Sequence, residues 1–107
     1  MRQGEIRPYR PIGPRRELYV LVVSADEFNT DPMSRPICVD VVPGWPASGI
    51  SIPLTSMDPV EGVVRVATIG SRSRDALGEP VGMITGQTLA RVWEAFHVIL
   101  DLPGGTR

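Results

Sequence analysis

Residues 18–24 read Leu-Tyr-Val-Leu-Val-Val-Ser, an almost unbroken run of aliphatic and β-branched side chains. A run of this length with no polar alternation predicts a strand covered on both faces. Upstream, residues 4–9 predict a first strand, and residues 10–16, holding Pro11, Gly13 and Pro14, predict a loop. Residues 26–35 are polar, with a helical turn expected over 25–29. Residues 37–42 predict a third strand, and 43–49 a loop that carries Trp45. Residues 50–54 predict a fourth strand that Pro53, lacking an N–H, confines to a sheet edge. In residues 63–69, Val63, Arg65 and Ala67 alternate with Val64, Val66 and Thr68, which predicts a fifth strand with Arg65 turned away from the core.

The period then changes. Ser71 or Ser73 is placed to cap a short helical turn ending at Leu77 and Gly78, and residues 79–83 read as an extended connection. Thr85 is a candidate N-cap, after which Leu89, Trp93, Phe96 and Leu100 recur at helical spacing, widened by Val92 and Ile99. Pro103 followed by two glycines ends the helix near residue 102. Eleven prolines and eleven glycines cut the remainder into short pieces, as a small barrel requires. The expected fold is mainly β (α+β): a small barrel of about five strands, with a C-terminal amphipathic helix over a barrel end or a dimer seam. At 107 residues the chain is expected to form a single domain, 1–107, able to bury a modest core without disulfides.

Net charge is −1, but its distribution is uneven. All eleven basic residues are arginine, and five of them (Arg2, Arg7, Arg10, Arg15, Arg16) lie in the first sixteen positions. Arg65, Arg72 and Arg74 form a second group. The planar guanidinium matches two phosphate oxygens at once, so the clusters are compatible with a phosphate-binding face. A genome biased toward arginine codons accounts better for the missing lysines. Cys38 and His97 are the only cysteine and histidine, which leaves no disulfide and no Cys/His cluster for zinc; no metal or cofactor is expected. With no leader-like apolar start and no run long enough to span a bilayer, the expectation is a cytoplasmic protein.

Several segments, in order, resemble one family. Gly4-Glu5-Ile6-Arg7 is similar to the "RGEI" opening of the MazF/PemK toxins, and Val20 through Ser24 followed by Asn29 is similar to their "VVVSxxxxN" strand. Gly62-Val63-Val64-Arg65-Val66 resembles "GVVRxDQ", Leu77-Gly78-Glu79-Pro80-Val81-Gly82 resembles "RLGxxxG", and the segment from Leu89 resembles the closing helix. The resemblance covers nearly the whole chain. It implies an SH3-like, CcdB/MazF-type barrel that forms a homodimer, cleaves single-stranded RNA without a metal, and is neutralised by a cognate antitoxin protein.

The chain departs from the family at its chemistry. The family's Arg-Pro before the second strand aligns with Leu18-Tyr19, the Thr of "VPxT" falls at Pro43-Gly44-Trp45, and the acidic residue two after the fifth-strand Arg is Ala67. Ile52-Pro53-Leu54-Thr55-Ser56 imitates "VPLTS" but leaves too little chain before Val63 to be the third-strand motif. Attack of a 2′-hydroxyl on phosphorus needs a base, a stabiliser of the added negative charge, and an acid for the leaving oxygen. Arg65 is the candidate stabiliser, the one position that matches residue for residue. Arg15 or Arg16 is the candidate substitute for the missing loop Arg, although both also suit a plain basic loop. Arg7, Trp45, Ser48, Thr55, Arg72 and Arg74 are candidate RNA contacts. Trp45 would stack a base or plug the barrel end, and Ser48 and Thr55 would donate to a phosphate or cap turns. The alternative is a member that acts by binding alone, as a CcdB-like gyrase poison or as an RNA- or antitoxin-binding protein.

Overall fold

The computed structural model describes residues 1–10, 18–44 and 50–100. These form β1 (Glu5–Tyr9), β2 (Leu18–Val22), α1 (Asp26–Thr30), β3 (Ile37–Val42), β4 (Ser51–Pro53), β5 (Val63–Ser71), a 3-10 turn at Arg74–Ala76, β6 (Gly82–Met83) and α2 (Gly86–Leu100). The strands join in one antiparallel sheet in the order β4-β5-β3-β2-β1-β6, curled into a half-barrel. The expected strands all form, and β4, carrying Pro53, is at the edge. A sixth strand comes from the segment read as an extended connection: Met83 and Gly82 pair with Glu5 and Ile6 of β1.

The register sorts the side chains. Ile6, Leu21 and Val39 oppose one another across β1, β2 and β3, and Val41, Val64 and Ile52 across β3, β5 and β4. Partners in antiparallel strands project from the same face, so these residues form one apolar surface. α2 covers it with Val92, Ala95 and Phe96, all but buried. The opposite face carries a smaller cluster of Val20, Val22 and Cys38, against which Met1, Tyr9 and Leu77 pack. Alternate residues of β2 thus enter two different cores, which is why this strand has no polar side.

α2 begins where expected. The Thr85 hydroxyl accepts the Thr88 N–H at 3.1 Å, as an N-cap does. Leu89, Trp93 and Ile99 lie half-buried against the core, whereas Leu100, at the end of the stripe, is 45 % exposed. The helix start is tied to the loop after β4 through Asp58. This carboxylate accepts the N–H groups of Thr55 (2.8 Å) and Thr85 (2.9 Å) and the hydroxyls of Thr55 (3.0 Å) and Thr88 (2.8 Å). The loop crosses β6 closely: a Cβ on Gly82 (φ +157°) would lie 2.7 Å from Pro59 Cγ, so no larger side chain fits without a shift. Burial pushes the Asp58 pKa up, but the four hydrogen bonds outweigh it and hold the carboxyl below its ordinary value of 3.8. A group depressed on folding contributes stability above its unfolded pKa and loses that contribution as pH falls through the folded value. The Asp58→Asn variant is therefore expected to be less stable than wild type in urea unfolding near neutral pH, with the gap closing as pH drops below 3.8. A gap that stays constant across that range would rule out this account of Asp58.

Candidate functional site

The second face of the sheet carries a row that crosses five strands. Arg7 opposes Val20, Val20 opposes Asp40, Asp40 opposes Arg65, and Arg65 opposes Ser51. The row borders a slip in the β3–β5 pairing. Cys38 pairs with Gly70 and Asp40 with Arg65, so two steps along β3 match five along β5. Thr68 fills the break: its hydroxyl accepts the Asp40 N–H at 2.7 Å and donates to the Arg65 carbonyl at 2.6 Å. Main-chain groups that a regular ladder would have paired are thereby satisfied.

Arg72 closes the same break from the side. Its guanidinium donates to the carbonyls of Gly70 (2.8 Å) and Thr68 (3.1 Å) and to Asp40 Oδ1 (3.1 Å), and it stands 5.6 Å from the centre of the Tyr9 ring. The Arg72 and Asp40 side chains are 12 % and 24 % exposed. This ion pair is therefore shielded more than a surface pair worth about 0–1 kcal/mol, and losing one partner leaves a poorly solvated charge. Arg7 pairs with Glu5 at 3.0 Å and donates to the Gly78 carbonyl at 2.9 Å; its Nε is buried with no hydrogen-bond partner among the described residues. Both arginines act electrostatically on Cys38. Burial pushes its thiol pKa up to about 11, against the pull of Arg72 and Arg7 and with a smaller push from Asp40, so it remains a protonated thiol at neutral pH.

The structure thus brings together three of the residues singled out from the sequence: Arg7, Arg65 and Arg72. Arg65 is half-buried, as a residue on the face away from α2. Arg74 is elsewhere, with its donors on the carbonyls of Asn29 (2.6 Å), Asp31 (3.0 Å) and Ser34 (3.0 Å), where it clamps the end of α1 to the 3-10 turn. Thr55 lies in the loop after β4, bound to Asp58. Arg15, Arg16, Trp45 and Ser48 lie outside the described residues. His97 is on α2, beside a cavity of about 200 Å³ lined by Val23, Ile37, Trp93 and Phe96, on the far side of the sheet from Arg65. Among the described residues no group of three or more His, Cys, Asp or Glu could hold a metal ion. No helix there is long and apolar enough to cross a membrane.

Sequence reading missed Asp40 and Ser51. Strict alternation along β3 marks Asp40 only as a polar strand residue; its pairing with Arg65 is set by the β3–β5 register. The Ser24 and Asn29 motif, in contrast, is architectural. The Ser24 hydroxyl donates to Asn29 Oδ1, Asn29 Nδ2 donates to the Ser24 carbonyl at 2.9 Å, and the Ile37 N–H donates to Ser24 Oγ at 3.0 Å. Both residues are buried, and together they fold the α1 turn back onto β3.

A half-barrel with one face closed by a helix and the other carrying Arg7, Arg65 and Arg72 defines a small antiparallel class of fold. Comparison with known proteins adds detail to that class. No family model matches the chain, and no curated protein does. Solved structures do match in fold. An endoribonuclease in complex with its cognate antitoxin from a mycobacterial species superposes with a TM-score of 0.86 at 21 % identity, covering 98 % of this chain and 99 % of that one. A chain of a MazE–MazF crystal structure from Deinococcus radiodurans gives 0.82 at 17 % identity, over 95 % and 96 % of the two chains. The Mycobacterium tuberculosis toxin MazF-mt6 gives 0.78 at 13 % identity, over 92 % and 97 %. The chain has the MazF fold.

If Ser24 and Asn29 serve the fold, Asn29→Ala is expected to cost about 1–3 kcal/mol in denaturant unfolding, from the buried partners left unpaired, without loss of ligand binding by the folded fraction. Unchanged stability would overturn the architectural assignment.

Proposed function

We propose that the chain is a MazF-type toxin: a homodimeric endoribonuclease that cuts single-stranded RNA without a metal and is held inactive by a cognate antitoxin protein. The observation that carries this reading is the pairing of near full-length similarity to an endoribonuclease bound to its antitoxin with the position of Arg65 on an arginine-lined face of the same sheet. The chain acts as one domain, and Arg65 acts on the face opposite α2.

In this reading Arg65 stabilises the negative charge that builds on the phosphate as the 2′-oxygen attacks. Arginine suits that role because its donors lie in one plane and its charge persists at any working pH. Arg15 or Arg16 takes the place of the family's loop arginine. Arg7 and Arg72, tied to the scaffold through Glu5 and Asp40, border the RNA path, with Trp45 and Ser48 as further contacts. Arg74 and Thr55, whose donors are engaged in turns, support the frame rather than the RNA. The departures at Leu18, Tyr19 and Ala67 are the reason the chemistry must be distributed differently from that of the family.

The test is incubation of the purified protein with a long single-stranded RNA in EDTA, followed by mapping of new 5′ ends. Discrete cuts are expected. Arg65→Ala is expected to lower the cleavage rate by about 10²–10³-fold, the usual effect of removing one charge-stabilising donor, while unfolding at the same denaturant concentration as wild type. Intact RNA from folded protein, or equal cleavage by the variant, would overturn the proposal.

A further inference from the structure

We infer that Asp40, on β3 opposite Arg65, is the general base of this site. The inference rests on the endoribonuclease reading and adds to it the residue that removes the 2′ proton.

Arginine is a poor base, because its guanidinium stays protonated across the working range. A cleaving site built around Arg65 therefore needs another acceptor on the same face. Among the described residues, two carboxylates occupy that face near the row. Glu5 is 6 % exposed and has both oxygens engaged, Oε2 with Arg7 at 3.0 Å and Oε1 with the Arg2 N–H. It is walled in as a structural counter-ion. Asp40 sits directly opposite Arg65 in the β3–β5 register, where cross-strand Cβ atoms lie about 4.5–5.5 Å apart. Its side chain is 24 % exposed, open enough for a substrate atom to approach. Arg72 holds Oδ1, which turns Oδ2 into the oxygen offered to the substrate. The backbone of Asp40 is fixed by the bond from its N–H to Thr68 Oγ1. The base is thus positioned by two contacts of the bulge beside its pairing with Arg65. His97, on α2, is separated from this face by the sheet.

The step balances as follows. The 2′-hydroxyl proton passes to Asp40 Oδ2 as the 2′-oxygen forms a bond to phosphorus. The bond from phosphorus to the 5′-oxygen breaks, and that oxygen leaves as a hydroxyl with a proton taken from water. The products are a 2′,3′-cyclic phosphate and a 5′-hydroxyl end, and Asp40 returns its proton to solvent. No oxidant, metal or further reactant is required.

The test compares wild type with Asp40→Asn on a long single-stranded RNA across a pH series, together with binding of a short 2′-O-methylated oligoribonucleotide that cannot be cut. Asp40→Asn is expected to cut at least about 100-fold more slowly and to lose the acid limb of the rate profile, with binding of the uncut oligonucleotide changed by no more than about threefold. Asp40→Glu, which restores a carboxylate, is expected to recover part of the rate and the acid limb. Should Asp40→Asn fail to fold on losing the partner of Arg72, the Asp40→Asn, Arg72→Gln double variant removes both charges together and is read for loss of the acid limb alone, its binding being expected to weaken with the loss of Arg72. Wild type that cuts while the Asn variant keeps its rate and pH profile overturns the assignment of Asp40 alone. Wild type that leaves RNA intact overturns the endoribonuclease reading and this inference with it.

Discussion

The break in pairing between β3 and β5 sets the geometry on which the arginine face depends. A sheet of this size tolerates such a slip only if the orphaned main-chain groups find partners, since each buried and unsatisfied one costs about 1–3 kcal/mol. Thr68 supplies a hydroxyl that is acceptor to Asp40 and donor to Arg65, and Arg72 supplies donors to the carbonyls of Thr68 and Gly70. The same guanidinium reaches Asp40 and faces Tyr9, so one side chain couples β5, β3 and β1. With the bulge in place, Arg7, Asp40, Arg65 and Ser51 share a face. Without the slip, the strand on one side of it would shift by an odd number of residues, and its side chains would exchange faces.

The two faces of the sheet divide the labour. The face under α2 is apolar throughout and carries the larger core, from Ile6 to Phe96. The other holds a small apolar cluster at one end and charged residues beside it. Pairing Glu5 with Arg7 and Asp40 with Arg72 lets charges sit where each side chain is a quarter exposed or less. Unpaired charges at that depth would be far more costly. Cys38, packed with Val20 and Val22 and held as a thiol by burial, is part of the wall rather than of the chemistry.

Much of the frame was legible because it rests on local physics. The apolar run over residues 18–24 meant burial on both faces, Pro53 meant an edge, and Thr85 meant a helix start; each is found. β6 was not legible as a strand because two residues carry no period, and only their pairing with β1 defines them. The site was partly legible. Arg65 could be placed on the outward face from alternation, but its relation to Asp40 is set by the β3–β5 register, beside a bulge whose cause, a threonine hydroxyl standing in for a main-chain group, has no period to read. Arg74 shows the converse: a basic residue close in sequence to Arg72 that is used to cap backbone carbonyls. The Ser24 and Asn29 pattern was visible as a motif, and its meaning as a buried turn lock needed the hydrogen bonds.

The central claim is that RNA lies on the face opposite α2, across the row from Arg7 to Ser51. The most direct measurement is an NMR titration of isotopically labelled protein with a short single-stranded oligoribonucleotide, 2′-O-methylated throughout so that it stays intact. The account predicts that the amides of Arg7, Asp40 and Arg65 shift together, while those of Val92, Ala95 and Phe96 on α2 stay in place. Shifts confined to α2 and the cavity beside His97, or none at all, would contradict it.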